Sequence, residues 1–197
     1  MCFKLLKTDS IYETINGDSC LCEECQNKLV PYFKRFVVGN CEGLAIYKYD
    51  DNIKSLLYQF KGCYDIELAP IFLNRFKNEL YMSFNGYILI PAPSYDEDDK
   101  NREFNHVVEM FKILNLPMYR LVIKTSRFKQ AGFASKKRKD AIEHMSVVSY
   151  DQIRNKKVLI VDDVMTTGST LRAMVSLIQK GHPKTIKILV MAKREMK

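Results

Sequence analysis

The chain has 197 residues, 47% apolar and 27% charged, with a formal net charge of +8. That is enough for one substantial core with at most a small appendage, and too few hydrophobic residues in any one run for a membrane span. The segment Met1-Cys2-Phe3-Lys4-Leu5-Leu6-Lys7 is too short and too lysine-rich for a signal peptide, so the expectation is a cytoplasmic protein without membrane insertion. Its six cysteines are then not a disulfide framework, and the positive charge is compatible with a polyanionic partner.

Residues 1–42 read as a Cys-rich region distinct from residues 43–197. Cys20, Cys22 and Cys25 fall within six positions, with Cys2 before them and Cys41 after. The Cys22-x-x-Cys25 pair suits two vertices of a tetrahedral, zinc-ribbon-like site. The expected ligands are Cys2, Cys22 and Cys25, with either Cys41 or Cys20 as the fourth.

Residues 44–50 read as a strand, and from Asp51 the spacing of Ile53, Leu56, Leu57 and Phe60 predicts a helix. Lys61 before Gly62 reads as a C-terminal helix cap. A second helix is expected to bury Ile66, Leu68, Ile71, Phe72, Phe76 and Leu80, with Pro70 in its first turn. Residues 87–91 form a short apolar run, the mark of a strand buried on both faces. After Pro91-Ala92-Pro93 come four acids, Asp96, Glu97, Asp98 and Asp99, then Arg102, Asn105 and His106; the histidine reads as an exposed helix residue.

From Lys124 to Lys139 the chain carries seven cations and no acid: Lys124, Arg127, Lys129, Lys136, Lys137, Arg138 and Lys139. Phe128 and Phe133 are interleaved with them. This is either a solvated loop or a surface for single-stranded nucleic acid, which needs cations for phosphates and aromatic faces for bases.

The most informative stretch is 157–171. An apolar strand ends at Asp162-Asp163, and Met165-Thr166-Thr167-Gly168-Ser169-Thr170 leads into a helical pattern of Leu171, Met174, Val175, Leu177 and Ile178. A loop of Thr, Gly and Ser opening a helix presents backbone N–H groups and the positive end of the helix dipole, which bind phosphate. Two carboxylates beside a phosphate address sugar hydroxyls or a shared cation. A Walker B strand is excluded by the absence of G-x-x-x-x-G-K-[ST], and a receiver domain by the short chain that follows residue 163. After the turn Gly181-His182-Pro183 comes a last strand over residues 186–191, then Lys193, Arg194 and Lys197.

The 157–171 pattern closely resembles the phosphoribosyl pyrophosphate (PRPP) loop of type I phosphoribosyltransferases. The resemblance implies that Asp162 and Asp163 hold the ribose, with Mg²⁺, while residues Met165 to Thr170 cradle the 5′-phosphate. Together with the cysteine cluster, Pro91-Ala92-Pro93, Arg102-Glu103-Phe104-Asn105-His106, Gln130 and Arg138, it is similar to the ComF family of natural competence. That resemblance implies an α/β fold of the phosphoribosyltransferase type, with a parallel sheet from strands near residues 87, 119, 157 and 185. It also implies DNA uptake, contact with single-stranded DNA and a competence helicase as partner. Arg102, Asn105, Lys124, Gln130, Lys136, Lys137, Arg138 and Lys139 are the expected diphosphate or nucleic-acid contacts. The four acids at 96–99 stand where that family is usually basic and would repel a diphosphate unless Mg²⁺ intervenes. They favour PRPP binding over turnover, an active phosphoribosyltransferase with an unidentified acceptor being the alternative.

Overall fold

The structure, a computed structural model, describes residues 21, 23–124 and 144–195. A short helix α1 (Glu23–Asn27) precedes the hairpin β1 (Pro31–Val38) and β2 (Cys41–Lys48). Helix α2 (Asp51–Gly62) starts where the Asp50 carboxylate accepts from the Ile53 N–H at 3.0 Å. The chain then passes through two 3₁₀ stretches, Ile66–Phe72 and Asn74–Phe76, into α3 (Lys77–Phe84) and β3 (Tyr87–Pro91). There follow α4 (Asp96–Arg102), α5 (His106–Lys112), β4 (Val122–Lys124), β5 (Met145–Val147), β6 (Lys157–Met165), α6 (Ser169–Gln179) and β7 (Thr185–Lys193).

Five strands form one sheet in the order β1-β2-β7-β6-β3. The last four are parallel, and β1 is antiparallel on the outer edge. Successive side chains of a strand face opposite ways, and both faces are covered. Leu89, Leu159, Val161 and Leu189 pack on one side with α2, the 3₁₀ stretches, α3 and α5, around Phe60, Phe72 and Phe111. Ile88, Ile90, Val158, Ile160 and Ile188 pack on the other with α6 and the β4–β5 ribbon. This two-sided burial is why β3 and the first half of β6 are continuous apolar runs rather than alternating ones. Each fully buried leucine or isoleucine contributes about 1.5–3 kcal/mol of transfer free energy.

Three expectations change. The strand near 119 is a single parallel bridge from Met118 to Leu89, and the neighbouring residues Val122–Lys124 pair with Met145–Val147 in a separate antiparallel ribbon. The helix expected over 66–80 begins as 3₁₀ turns, with Pro70 inside the first of them, and becomes α-helical at Lys77. Proline has no N–H to donate, and its ring crowds the preceding turn of an α-helix. Finally, β1 lies within the segment set apart as 1–42, yet it is hydrogen-bonded to β2 as part of the main sheet. Among the described residues, no helix is long and apolar enough to cross a membrane.

Candidate functional site

The site exists because β6 outruns its neighbour. Pairing of β3 with β6 ends at Pro91 and Val161, where the Ala92 N–H donates to the Val161 carbonyl at 2.8 Å and the chain turns away. Pairing of β6 with β7 continues to Met165 and Lys193. Asp162 and Asp163 therefore sit just past the end of β3, in the crevice at the carboxyl ends of parallel strands where ligands of such sheets bind.

The two acids are not equivalent. Both are buried, 9% and 7% exposed. One oxygen of Asp162 accepts from the Asp163 N–H at 2.9 Å, and Oδ1 of Asp163 accepts from the Val164 N–H at 2.6 Å. Oδ2 of Asp163 takes the Lys61 ammonium at 2.5 Å and lies 3.4 Å from Nε2 of His106. Arg102 Nη1 is 2.7 Å from Nδ1 of the same ring. A guanidinium can only donate, so Nδ1 accepts and the ring proton sits on Nε2, facing Asp163. Burial pushes the Asp163 carboxyl upward, but the His106 hydrogen bond and the Lys61 charge outweigh it and hold the group well below the usual carboxylate range. Asp162 is moved the other way, well above that range, by burial and by the charge of Asp163.

Lys124 stands at the end of β4. Its ammonium lies 4.4 Å from the centroid of the Tyr95 ring. Burial lowers its proton affinity, against the pull of Asp162, Asp98, Asp163 and Asp99.

The loop after β6 presents donors. The Met165 carbonyl accepts from the Arg194 N–H at 2.9 Å, and the Thr167 carbonyl accepts from Arg172 Nη2 at 2.6 Å. With those carbonyls tied back, and with the first N–H groups of α6 lacking partners within the helix, the loop offers N–H groups. Thr166 and Thr167 are exposed, Ser169 and Thr170 half-buried, and the Thr167 hydroxyl lies 3.2 Å from that of Ser169. Gly168 makes the turn at φ +72°, a left-handed conformation that disfavours a side chain.

Of the other expected residues, Arg102 and Asn105 are internal. Asn105 caps α5 by accepting from the Val108 N–H at 2.9 Å, and its amide donates to Ser94 Oγ at 2.7 Å and to Asp99 at 2.8 Å. Arg102 is held against His106 and lies 3.9 Å from both Asp98 and Asp99. Asp99 further accepts from Ser94 Oγ at 2.6 Å and Arg120 at 3.0 Å. The acidic stretch is thus partly neutralised within the molecule, with Asp99 as a scaffold, rather than being a uniformly repulsive loop. Gln130, Lys136, Lys137, Arg138 and Lys139 lie outside the described residues, as do Cys2, Cys20 and Cys22.

Cys25 belongs to the cluster on the α2 face of the sheet and Cys41 to the cluster on the α6 face. The Cys41 thiol, pushed up by burial, lies 3.6 Å from the Asn40 side-chain oxygen. The structure does not bring these two cysteines together. Among the described residues no group of three His, Cys, Asp or Glu side chains is placed to hold a metal.

The reading of Lys61 as a helix cap and that of His106 as an exposed residue are both corrected. Each side chain ends on Asp163, and His106 is only 12% exposed. Lys61 is 102 positions from its partner, and no local pattern announces such a contact.

The family described as "Phosphoribosyl transferase domain" matches residues 107–197, which include both acids and the loop. Competence protein ComFC of Streptococcus pneumoniae is 23% identical over 95% of this chain and 96% of its own length. Competence protein F of Haemophilus influenzae is 26% identical, over 53% of this chain and 49% of that protein. Among solved structures, a hypoxanthine phosphoribosyltransferase from Staphylococcus aureus superposes with a TM-score of 0.41 at 13% identity, covering 66% of this chain and 67% of that one. Residues 107–197 thus match the phosphoribosyl transferase domain family, and the chain as a whole is similar to a ComFC protein over nearly its full length.

Proposed function

We propose that the protein is a DNA-uptake factor of natural transformation, which binds PRPP in the crevice beyond β3 and contacts single-stranded DNA in the cytoplasm. The observation that supports this most is the meeting of Asp162 with the donor loop Thr166–Thr170 at one strand end. In the proposed complex the 5′-phosphate lies on the loop at the positive end of α6, and Asp162 accepts from the ribose hydroxyls. Asp163 positions the strand end, being already engaged by Lys61 and His106. A Mg²⁺ ion carried by the diphosphate would meet a hard oxygen donor in Asp162 and would neutralise diphosphate charge.

Similarity to the pneumococcal competence protein supports the competence part of this reading. The net charge of +8, and the basic residues Lys136, Lys137, Arg138 and Lys139 with Gln130 beside them, support a nucleic-acid contact. A competence helicase is the proposed protein partner. A structural zinc held by Cys25 with Cys2, Cys20 and Cys22 is proposed as well, since thiolates in that spacing suit it.

One observation favours a second reading, an active phosphoribosyltransferase with an unidentified acceptor. Asp99 is paired with Arg120 and hydrogen-bonded by Asn105, which weakens the electrostatic objection to a diphosphate leaving group.

The test is to titrate one purified sample with PRPP and Mg²⁺, with ribose 5-phosphate, and with a single-stranded oligonucleotide. PRPP should bind, ribose 5-phosphate should compete with it more weakly, and DNA should still bind when PRPP is saturating. Absence of saturable binding of both phosphoribosyl compounds would overturn the ligand assignment.

A further inference from the structure

The outer strand β1 has a bulge. Its register against β2 shifts between Pro31 and Lys34, and within the shift Phe33 takes φ +44°, left-handed backbone that a bulky residue rarely adopts. A bulge re-aims a side chain, and strain of this kind persists only where the surroundings enforce it. Here it brings the Phe33 ring edge-on to Phe76, with centroids 5.0 Å apart, while leaving the residue 47% exposed. Arg75 sits over the same Phe76 ring at 5.5 Å.

Lys34 and Arg35 follow directly and are exposed. Arg35 lines a groove of about 500 Å³ together with Val37, Leu44, Phe84, Lys187 and one acid, Glu42. None of Lys34, Arg35, Arg75 and Lys187 forms an ion pair with a described carboxylate. Arg35 and Lys187 thus sit by a groove of ligand-pocket size, with Glu42 opposite Lys187, Arg75 lies over the Phe76 ring beside the presented Phe33, and Lys34 projects from the other side of the same edge strand. At about 3.3 Å per residue, the stretch from Phe33 to Val37 covers roughly 13 Å of strand.

We propose that this strip of β1, with Arg75 and Lys187, is a docking surface for single-stranded nucleic acid, in which a base stacks on Phe33, the cations follow the phosphates and the groove beside Arg35 takes a neighbouring nucleotide. The inference rests on the proposed DNA contact and gives it a place on the sheet, apart from residues 125–143. Charge complementarity and the presented ring favour this occupant over a protein strand added to the edge, which would use main-chain groups and have no need of four cations.

The test measures binding of a fluorescent oligothymidylate to the full chain and to three variants. Phe33→Leu keeps an apolar contact with Phe76 but removes the stacking face, and should weaken binding on the order of tenfold. Lys34→Ala with Arg35→Ala should weaken it further and lower the salt slope by about 1.4, at about 0.7 per lost phosphate contact on a single strand. Lys136→Ala with Lys137→Ala and Lys139→Ala serves as the comparison. An oligonucleotide carrying a photoreactive thymine should cross-link to the peptide that contains Phe33. If the parent binds but the β1 variants keep both its affinity and its salt slope, this inference is overturned while DNA contact stands. If the parent does not bind at all, the DNA reading fails and takes the inference with it. Loss of a protein complex by the β1 variants, with oligonucleotide binding intact, would assign the edge to strand addition and overturn the proposal.

Discussion

Asp162 and Asp163 are adjacent and chemically identical, yet the fold gives them opposite energetic signs. The Asp163 carboxyl titrates below its unfolded value, so its stabilising contribution is complete above roughly pH 4 and is lost as the pH falls toward the depressed folded value. The Asp162 carboxyl titrates above its unfolded value, so stability falls as the pH rises from about 4 toward the raised one. At neutral pH, Asp163→Asn should therefore destabilise the protein by roughly 1.5–3 kcal/mol, the range for hydrogen bonds to charged groups. Asp162→Asn should leave stability unchanged or raise it. Urea unfolding of both variants at pH 7 checks this; equal losses would show that burial treats the two alike.

Lys61 offers a second test at the same scale. Its side chain is 38% exposed, so solvent screens the ion pair and the buried-pair range of about 3–5 kcal/mol must be discounted. We expect Lys61→Ala to cost roughly 1–2 kcal/mol in the parent and much less in the Asp163→Asn background. Equal costs in the two backgrounds would mean that the pair is not coupled. PRPP affinity should also rise as the pH rises through the raised Asp162 value, because the proton on Asp162 must leave before both oxygens can accept from ribose. Asp162→Asn should flatten that component of a calorimetric pH series.

Among the elements, β6, its loop and α6 form the unit on which the site depends. Gly168 is its pivot. A Cβ there would meet the Met165 methyl at 2.8 Å, which a flexible side chain can relieve, so the left-handed backbone itself sets the cost at about 1–2 kcal/mol. Gly168→Ala should keep the fold and lose most of the affinity for PRPP, as measured by thermal shift with and without ligand. A variant that binds like the parent would show that the loop conformation does not matter.

This unit was legible in the sequence because every signal for it is local. An apolar run ends at two acids, a Thr/Gly/Ser turn follows, and Leu171, Met174, Val175, Leu177 and Ile178 supply the buried face of the helix. What was not legible depends on distant contacts. Lys61 and His106 look like an ordinary cap and an ordinary surface residue until α2 and α5 pack on the same face of the sheet and meet at Asp163. The strand expected near 119 was lost for a similar reason: local apolar pattern marked residues that could pair, but tertiary packing left Met118 one bridge and gave Val122–Lys124 to β5. The tetra-acid stretch read as repulsive because Asn105 and Arg120, which hold Asp99, are identified only by the fold.

At the scale of the molecule, one sheet separates two faces with different tasks. The α2 face contributes Lys61 and His106 to the acid pair, and the α6 face contributes the phosphate loop and Lys124. The same partition bears on the metal. Cys25 and Cys41 lie on opposite faces, so a zinc ion held through Cys25 cannot use Cys41 without rearrangement of the sheet. Metal analysis of reduced protein should find about one zinc per chain in the parent and in Cys41→Ser, and much less in Cys25→Ser. Loss of zinc from Cys41→Ser would contradict that ligand set.

The central claim is that Asp162, beside the Thr166–Thr170 loop, is the ribose-binding end of a PRPP site. It is tested most directly by calorimetric titration of PRPP, with Mg²⁺ present, into the parent and Asp162→Asn. The single variant is the right probe, since Asp163 also holds Lys61 and His106 in place. Saturable binding by the parent should weaken by one to two orders of magnitude in the variant, which corresponds to roughly 1.5–3 kcal/mol for a hydrogen bond to an ionised acceptor. A folded variant that binds PRPP as tightly as the parent, or a parent that releases no heat and shows no thermal shift with PRPP, would contradict it.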